Sequence, residues 1–346
     1  MHLRAGAPVL WREPGVTQIG STPGRAVVLS NLQPRDQLLL EQLSYSAKPI
    51  DLMAMASRFG LPRKEAKRLA QALISGGVLA PDQVPTPVNA DEVYWDGLVF
   101  DARARSRRLA RAIVGVLGSA ARTQASLLRS AEPQPPMLTL APTALPEAKP
   151  GQPDPLVLSL ACHLATAGVG TVLVHRDRAT SQALRQRHPA LVQHAPLDTR
   201  PDLTVSLSIG ATDLVQERRL LQEDLPHLLV TVRETGLELG PVVVPGQTPC
   251  GMCLEQWRQE ADPSWPELTL QLQASPRPAV ESLLAEQAAA LAARMVLDAL
   301  TGRGKAWWGT SVELTAVDPL GLERRWEPHP DCGCLAASAN RHAGEA

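Results

Sequence analysis

The apolar positions change period twice along the chain. Up to Leu29 they form short β-type runs: Val9-Leu10-Trp11, Val16-Thr17-Gln18-Ile19 and Ala26-Val27-Val28-Leu29. Pro14-Gly15 and Ser21-Thr22-Pro23-Gly24 separate them, and both stretches are turn chemistry. From Leu38 the spacing becomes helical. Leu38, Leu39 and Leu43 follow Asn31-Leu32-Gln33-Pro34, where Pro34 suits a first helical turn. A second helix is predicted over Ile50–Phe59, broken by Gly60-Leu61-Pro62, and a third over Lys64–Ile74, stopped by Gly76-Gly77. Three strands and three helices predict a small winged-helix-like domain over residues 1–82.

Such a domain permits two functions. Its third helix carries Arg63, Lys64, Lys67 and Arg68 and can enter a DNA major groove. Alternatively, an open sheet edge beside that helix captures an extended peptide as an added strand. In that case Ala26, Val27, Val28 and Leu29 form the edge, and Lys64, Lys67, Arg68 and Gln71 the facing wall, with basic side chains suited to an acidic peptide. An ordinary solvated face carries the same residues.

Residues 83–136 read as a linker. Val84-Pro85-Thr86-Pro87-Val88 is an extended connector, and Asp101–Arg122 fits an amphipathic helix with an Arg-rich outer face. A strand is expected at Met137-Leu138-Thr139-Leu140, followed by a proline-laden loop to Pro155. Beyond it the second change of period begins. Helix-type segments at Leu156–Ala167, Ser181–His188 and Asp213–Leu221 alternate with strand-type runs Thr171–Val174, Leu203–Ser208 and His227–Val232. That alternation predicts a mostly parallel, doubly wound α/β sheet over 137–346. A long Ala-rich helix near Ala279–Leu300 precedes the closing strands. Cys162 and His163 fall on the apolar helix and read as core, and Gly168 and Gly170 as its terminator.

Composition narrows the class. The chain has 346 residues, a formal net charge of −1 and 3% aromatic content, so its cores are built from Ala, Leu and Val. Near-neutrality argues against a general polyanion binder. No apolar run approaches the roughly 18–20 residues that span a bilayer, and Met1–Gly6 lacks a secretory pattern, so a soluble cytoplasmic protein is expected.

Cysteine is the exception to this plain composition. Four of the five cysteines form two close pairs, Cys250-Gly251-Met252-Cys253 and Cys332-Gly333-Cys334. Two knuckles of this spacing complete a tetrahedron around Zn²⁺, and Pro249, Gly251 and Gly333 suit tight turns. Disulfides need an oxidising compartment that no signal peptide implies, and a redox pair normally opens a thioredoxin-like helix. The expectation is a structural Zn(Cys)₄ site, which staples the fold and does no chemistry. His329 is at most an outer partner of it.

The residues from Gly240-Pro241 through Pro249-Cys250-Gly251-Met252-Cys253 to Trp257, with Asp262-Pro263-Ser264-Trp265-Pro266, resemble the ThiF/MoeB-like proteins of thiazole/oxazole-modified peptide clusters. So do Ala165–Val174 and His329-Pro330-Asp331-Cys332-Gly333-Cys334, while the first 82 residues are similar to the PqqD-like recognition element of such proteins. The resemblance implies a ThiF-type Rossmann-like domain that in the parent superfamily binds ATP and adenylates a carboxyl terminus. That activity needs a Gly-rich turn after the first strand. The corresponding stretch, Ala141–Pro155, has no G-x-G-x-x-G and is rich in proline, and His175 stands where a ribose-binding carboxylate belongs, with Asp177 two residues late. The domain is therefore expected to be degenerate and to bind no ATP. The resemblance then implies a non-catalytic scaffold that holds a precursor leader peptide for a YcaO-type cyclodehydratase making azolines, with homodimers usual in the family. An active adenylyltransferase and a winged-helix DNA-binding regulator are the alternatives.

Overall fold

The computed structural model describes residues 2–4, 7–44, 51–80, 84–99, 101–118, 152–175, 177–196, 198–275 and 277–335. The chain divides into two compact units, Met1–Arg107 and Arg108–Ala346.

The first unit begins with β1 (His2–Leu3), β2 (Val9–Glu13), β3 (Val16–Ile19) and β4 (Val27–Leu29). It continues with α1 (Pro34–Ser44), α2 (Leu52–Arg58), α3 (Arg63–Ser75), β5 (Leu79–Ala80), α4 (Ala90–Asp96) and α5 (Ala102–Arg111), inside which the division falls. Strands β2, β3 and β4 form an antiparallel meander, and β1 pairs with β5. Gly15 turns the first hairpin at φ +79°, a conformation that favours glycine. Gln37 ties α1 to that turn, accepting from the Gly15 N–H at 3.1 Å and donating to the Thr17 hydroxyl at 3.2 Å. Asp51 caps α2 by accepting from the Met53 and Ala54 N–H groups. In α3, Ala66, Leu69, Ala70 and Leu73 are buried, the stripe that helical spacing requires. They join Ile19, Leu39, Leu40, Leu43 and Leu52 in one core.

The second unit contains β6 (Ile113–Leu117), α6 (Pro155–Thr166), β7 (Thr171–His175), α7 (Arg178–Arg187), β8 (Leu203–Ile209), α8 (Leu214–Gln222), β9 (His227–Val232) and β10 (Gly236–Val243). Then follow α9 (Gly251–Ala261), α10 (Trp265–Ala274), α11 (Ser282–Leu300), β11 (Thr310–Thr315) and β12 (Leu322–Arg325). Seven strands make one mixed sheet in the order β12-β11-β10-β9-β8-β6-β7. β7, β6, β8 and β9 are parallel, and β10, β11 and β12 are added antiparallel. A single parallel bridge joins Thr171, the first residue of β7, to Val192 on the far side from β6. Counting it as a vestigial third strand gives the order 3-2-1-4-5 across Val192, β7, β6, β8 and β9, a Rossmann-type half. The β6→β7 and β8→β9 crossovers run in opposite directions, so right-handedness puts α6 and α8 on opposite faces. Every residue of β8, β9 and β10 is buried, as expected of strands covered on both sides.

Two sequence expectations change here. The amphipathic helix expected over 101–122 ends at Arg111, and the strand β6 follows it. Helix propensity is a weak prior, and tertiary pairing overrides it. Val114, Gly115 and Val116 are buried between β7 and β8, and the Ile113 N–H donates to the Asp202 carboxylate at 2.8 Å. A Cβ on Gly115 would sit 3.2 Å from the Thr204 hydroxyl, so glycine lets the strands close. The first strand of the α/β unit is thus Ile113–Leu117 and lies inside the stretch read as linker. The strand expected at Met137–Leu140 lies outside the described residues.

Candidate functional site

The four paired cysteines converge. Cys250 stands at the N-cap of α9 and Cys253 in its first turn, while Cys332 and Cys334 come from the turn after β12. Their sulfurs all lie within 4.8 Å of one another, with Cys250–Cys253 at 3.8 Å and Cys250–Cys332 and Cys253–Cys334 at 3.5 Å. A tetrahedron with metal–sulfur bonds of about 2.3 Å has edges of about 3.8 Å. A disulfide needs about 2.05 Å, and all four thiols are free. Gly333 reverses the C-x-C knuckle at φ +68°, which only glycine does cheaply. Cys250 and Cys253 are buried in a small core with Leu229, Val243, Leu254 and Trp326.

The four thiols act on one another's protonation. Hydrogen bonds from Cys250, and then from Cys334, draw the Cys253 thiol down to about 2 against the opposing effect of burial. Cys250 is pushed up, first by its hydrogen bond to Cys253. Burial, then Cys253, raises Cys332. At Cys334 hydrogen bonding with Cys250 acts downward, but Cys253 and burial win and push it up to about 12. One thiolate therefore suppresses the other three. Four thiolates coexist only around a cation, so the donor set fits a thiophilic metal ion. His329 is not a ligand: its Nδ1 accepts from the Asp331 N–H at 3.2 Å, and its Nε2 donates to Glu260 at 3.0 Å. Its backbone N–H supports the Cys253 thiolate, and its ring packs edge-on to Trp257 at 4.6 Å.

A doubly wound sheet binds ligands outside the strand C-termini where the order reverses, here between β6 and β8. The groups there are already engaged. Ser206 accepts from the Gln216 amide at 2.6 Å, and Ser208 from the Asp213 N–H at 3.1 Å. Asp213 caps α8. Gly210, at φ +72°, lies so close to Leu272 of α10 that an added Cβ would come within 2.6 Å of it. Asp177 caps α7 through the Thr180 N–H and hydroxyl, and His175 ends β7. Asp154 caps α6 and pairs with Arg277. The phosphate turn was sought in the wrong place: it follows Leu117 and begins at Gly118, not at Ala141. Ala141–Gly151 lies outside the described residues. The replacement stretch Gly118-Ser119-Ala120-Ala121-Arg122 still holds one glycine and no G-x-G-x-x-G. The signal missed was the apolar run Ile113-Val114-Gly115-Val116-Leu117-Gly118, strand followed by glycine.

In the first unit β4 is an edge strand, hydrogen-bonded only to β3 among the described residues. Val28 faces out at 47% exposure, with Ala26, Val27 and Leu29 half-buried. Lys64, Lys67, Arg68 and Gln71 are all exposed and share one face of α3. The end of α3 abuts the strand, since a Cβ on Gly76 would meet Val27 at 2.8 Å. The sequence-predicted residues thus form an open edge and a basic helix face within one unit.

No family model matches the sequence, and no curated protein does. Solved structures do match by fold. The structure of E. coli MccB with ATP superposes with a TM-score of 0.62 at 13% identity, covering 96% of this chain and 98% of that one. The microcin C7 biosynthetic enzyme MccB in complex with N-formylated MccA gives 0.61 at 12%, covering 96% and 99%. A heterocyclase in complex with substrate and cofactor gives 0.63 at 15%, covering all of this chain and 41% of that one. At these identities the likeness establishes the fold alone. No helix among the described residues is long and apolar enough to cross a membrane.

Proposed function

We propose that this chain is a non-catalytic scaffold that binds the leader of a ribosomal precursor peptide and presents it to a YcaO-type cyclodehydratase. The observation that carries the reading is the pairing of an open edge strand, β4, with the basic outer face of α3 in a winged-helix-like unit. Strand addition to β4 gives affinity through main-chain hydrogen bonds, and Lys64, Lys67, Arg68 and Gln71 select an acidic peptide beside it. Among fold neighbours, MccB has been captured with the peptide MccA, and the heterocyclase with its substrate. This chain spans 41% of that heterocyclase chain.

In this reading Cys250, Cys253, Cys332 and Cys334 hold a structural Zn²⁺, which supplies cross-linking and no open coordination position. The assembly implied by the resemblance is a homodimer. The competing adenylyltransferase has the fold of ATP-bound MccB in its favour and the engaged crevice residues against it.

The test is fluorescence polarisation of a labelled leader, encoded beside this protein, against the full chain. Saturable binding at micromolar concentration or better, without Mg-ATP hydrolysis or pyrophosphate exchange, is expected. Pyrophosphate exchange dependent on a peptide carboxylate would overturn the scaffold reading in favour of the enzyme.

A further inference from the structure

One buried ion pair has no part in the peptide face or the crevice. Glu217, on α8, and His227, the first residue of β9, are 1% and 0% exposed. Both imidazole nitrogens face oxygen: Nδ1 meets the Leu225 carbonyl at 2.7 Å and Nε2 the Glu217 Oε2 at 2.8 Å. With two acceptors and no donor opposite it, the ring holds both protons and is an imidazolium. Burial acts against that charge, but Glu217 outweighs it and the pKa is raised.

The other carboxylate oxygen of Glu217 leads to the cysteines. Oε1 accepts from the Gly251 N–H at 2.7 Å. Gly251 directly follows Cys250, and Cys253 lies two residues further on. The contact is built around glycine. A Cβ there would lie 2.7 Å from the Thr212 methyl and 3.0 Å from the Glu217 carboxyl carbon. A side chain there would crowd both the Thr212 methyl and the carboxylate and strain its hydrogen bond to the helix end.

Charge explains why the carboxylate comes with a histidine. A helix N-terminus favours a carboxylate by its dipole. A tetrathiolate–zinc centre carries net negative charge, however, and a bare buried carboxylate beside it would repel it. His227 cancels that charge while leaving the hydrogen bond in place. The histidine is also anchored by its strand, with neighbours Thr204 on β8 and Val243 on β10.

We infer that Glu217, braced by His227, is the positioning residue of the cysteine centre. It fixes the N-terminus of α9, and with it the spacing of the Cys250 and Cys253 sulfurs, against the central sheet. The inference rests on the metal reading above. Outer partners of this kind tune metal affinity by roughly 10–100-fold.

The experiment measures zinc affinity of the full chain by competition with a chromophoric chelator, together with the thiolate-to-metal absorption of the Co²⁺-substituted protein. Glu217→Ala is expected to weaken zinc tenfold or more and to shift the Co²⁺ spectrum, with far-UV dichroism retained. Gly251→Ala, which crowds the carboxylate without removing it, is expected to do the same. Glu217→Gln keeps an oxygen facing Gly251 and is expected to restore affinity to within about threefold of the parent. If Glu217→Ala does not fold, Gly251→Ala decides. Parental affinity and spectrum in the folded variants would overturn the positioning role. Absence of zinc binding in the parent would overturn the metal reading itself, a separate outcome.

Discussion

Removing the metal should loosen one part of the second unit and spare another. Trp326, just after β12, is held to Gly309 and Ser311, and the residues beyond it have further ties. These are the sulfurs of Cys332 and Cys334, the Trp257 indole N–H donating to the Glu327 carbonyl at 2.8 Å, and His329 bonded to Glu260 at 3.0 Å. The strands β8, β9 and β10 are buried along their whole length, and only Leu229 and Val243 among their residues belong to the small core around the cysteines. A metal present at a thousand times its dissociation constant stabilises the folded state by about 4 kcal/mol. For a unit running from Arg108 to Ala346, each kcal/mol shifts the melting temperature by roughly 2–4 °C. Chelation should therefore lower Tm by about 8–16 °C. The assay is a thermal melt followed by tryptophan fluorescence, since Trp257 and Trp326 pack against the cysteines. Far-UV dichroism at room temperature should change little, and Zn²⁺, not Mg²⁺, should restore the melt. A shift below about 2 °C, with the thiols reacting equally fast before and after chelation, would refute the metal centre.

Further outcomes are expected. Replacing Lys64, Lys67 and Arg68 together by Ala removes three exposed cations at roughly 0.2–1 kcal/mol each. Acidic leader binding in fluorescence polarisation should fall roughly 3- to 100-fold and lose its salt dependence. The fold should survive, because Ala66, Leu69 and Leu73 on the opposite face hold the helix. Folding stability should also depend on pH through His227, whose pKa is raised in the folded protein. That contribution is complete below the unfolded value near 6.5 and fades as pH rises through the higher folded value. Urea titrations from pH 6 upward should show the loss, and His227→Gln should remove the slope. Gly333→Ala places a Cβ at φ +68°, at a cost of about 1–2 kcal/mol. Zinc affinity by chelator competition should drop roughly 5- to 30-fold, and less for Gly333→Asn.

What the sequence disclosed follows from how local each signal is. The α3 stripe and the apolar runs of β8 and β9 are set by spacing within a dozen residues, and they stand where the pattern placed them. The cysteine pairs were legible for another reason: close spacing in a cysteine-poor chain is itself a geometric statement, and the sulfurs meet. β6 was illegible because Ala and Arg around it favour helix, while the decisive contacts come from β7 and β8, far along the chain. α10 is invisible for the same reason, since its place over Gly210 depends on sheet closure. Glu217 and His227 are separated by ten residues, and no rule of composition marks one as the partner of the other.

The distribution of these features bears on function more than the fold does, since one fold hosts many activities. In a Rossmann-type half, chemistry resides in the turns at the strand C-termini, whereas shape resides in the buried strands. Here the strands β8, β9 and β10 are buried throughout, and several described residues at the strand C-termini serve structural roles. Asp177 and Asp213 cap helices, Ser206 and Ser208 brace α8, and Leu272 fills the space beside Gly210. Each such use satisfies a polar group or a void locally, so an incoming nucleotide would have to break existing hydrogen bonds before making its own. The cysteine centre runs the other way, with four donor sulfurs gathered within 4.8 Å of one another. Engaged crevice residues, gathered cysteine donors and an exposed edge strand are the three features on which the scaffold proposal stands, and each is open to the separate tests given above.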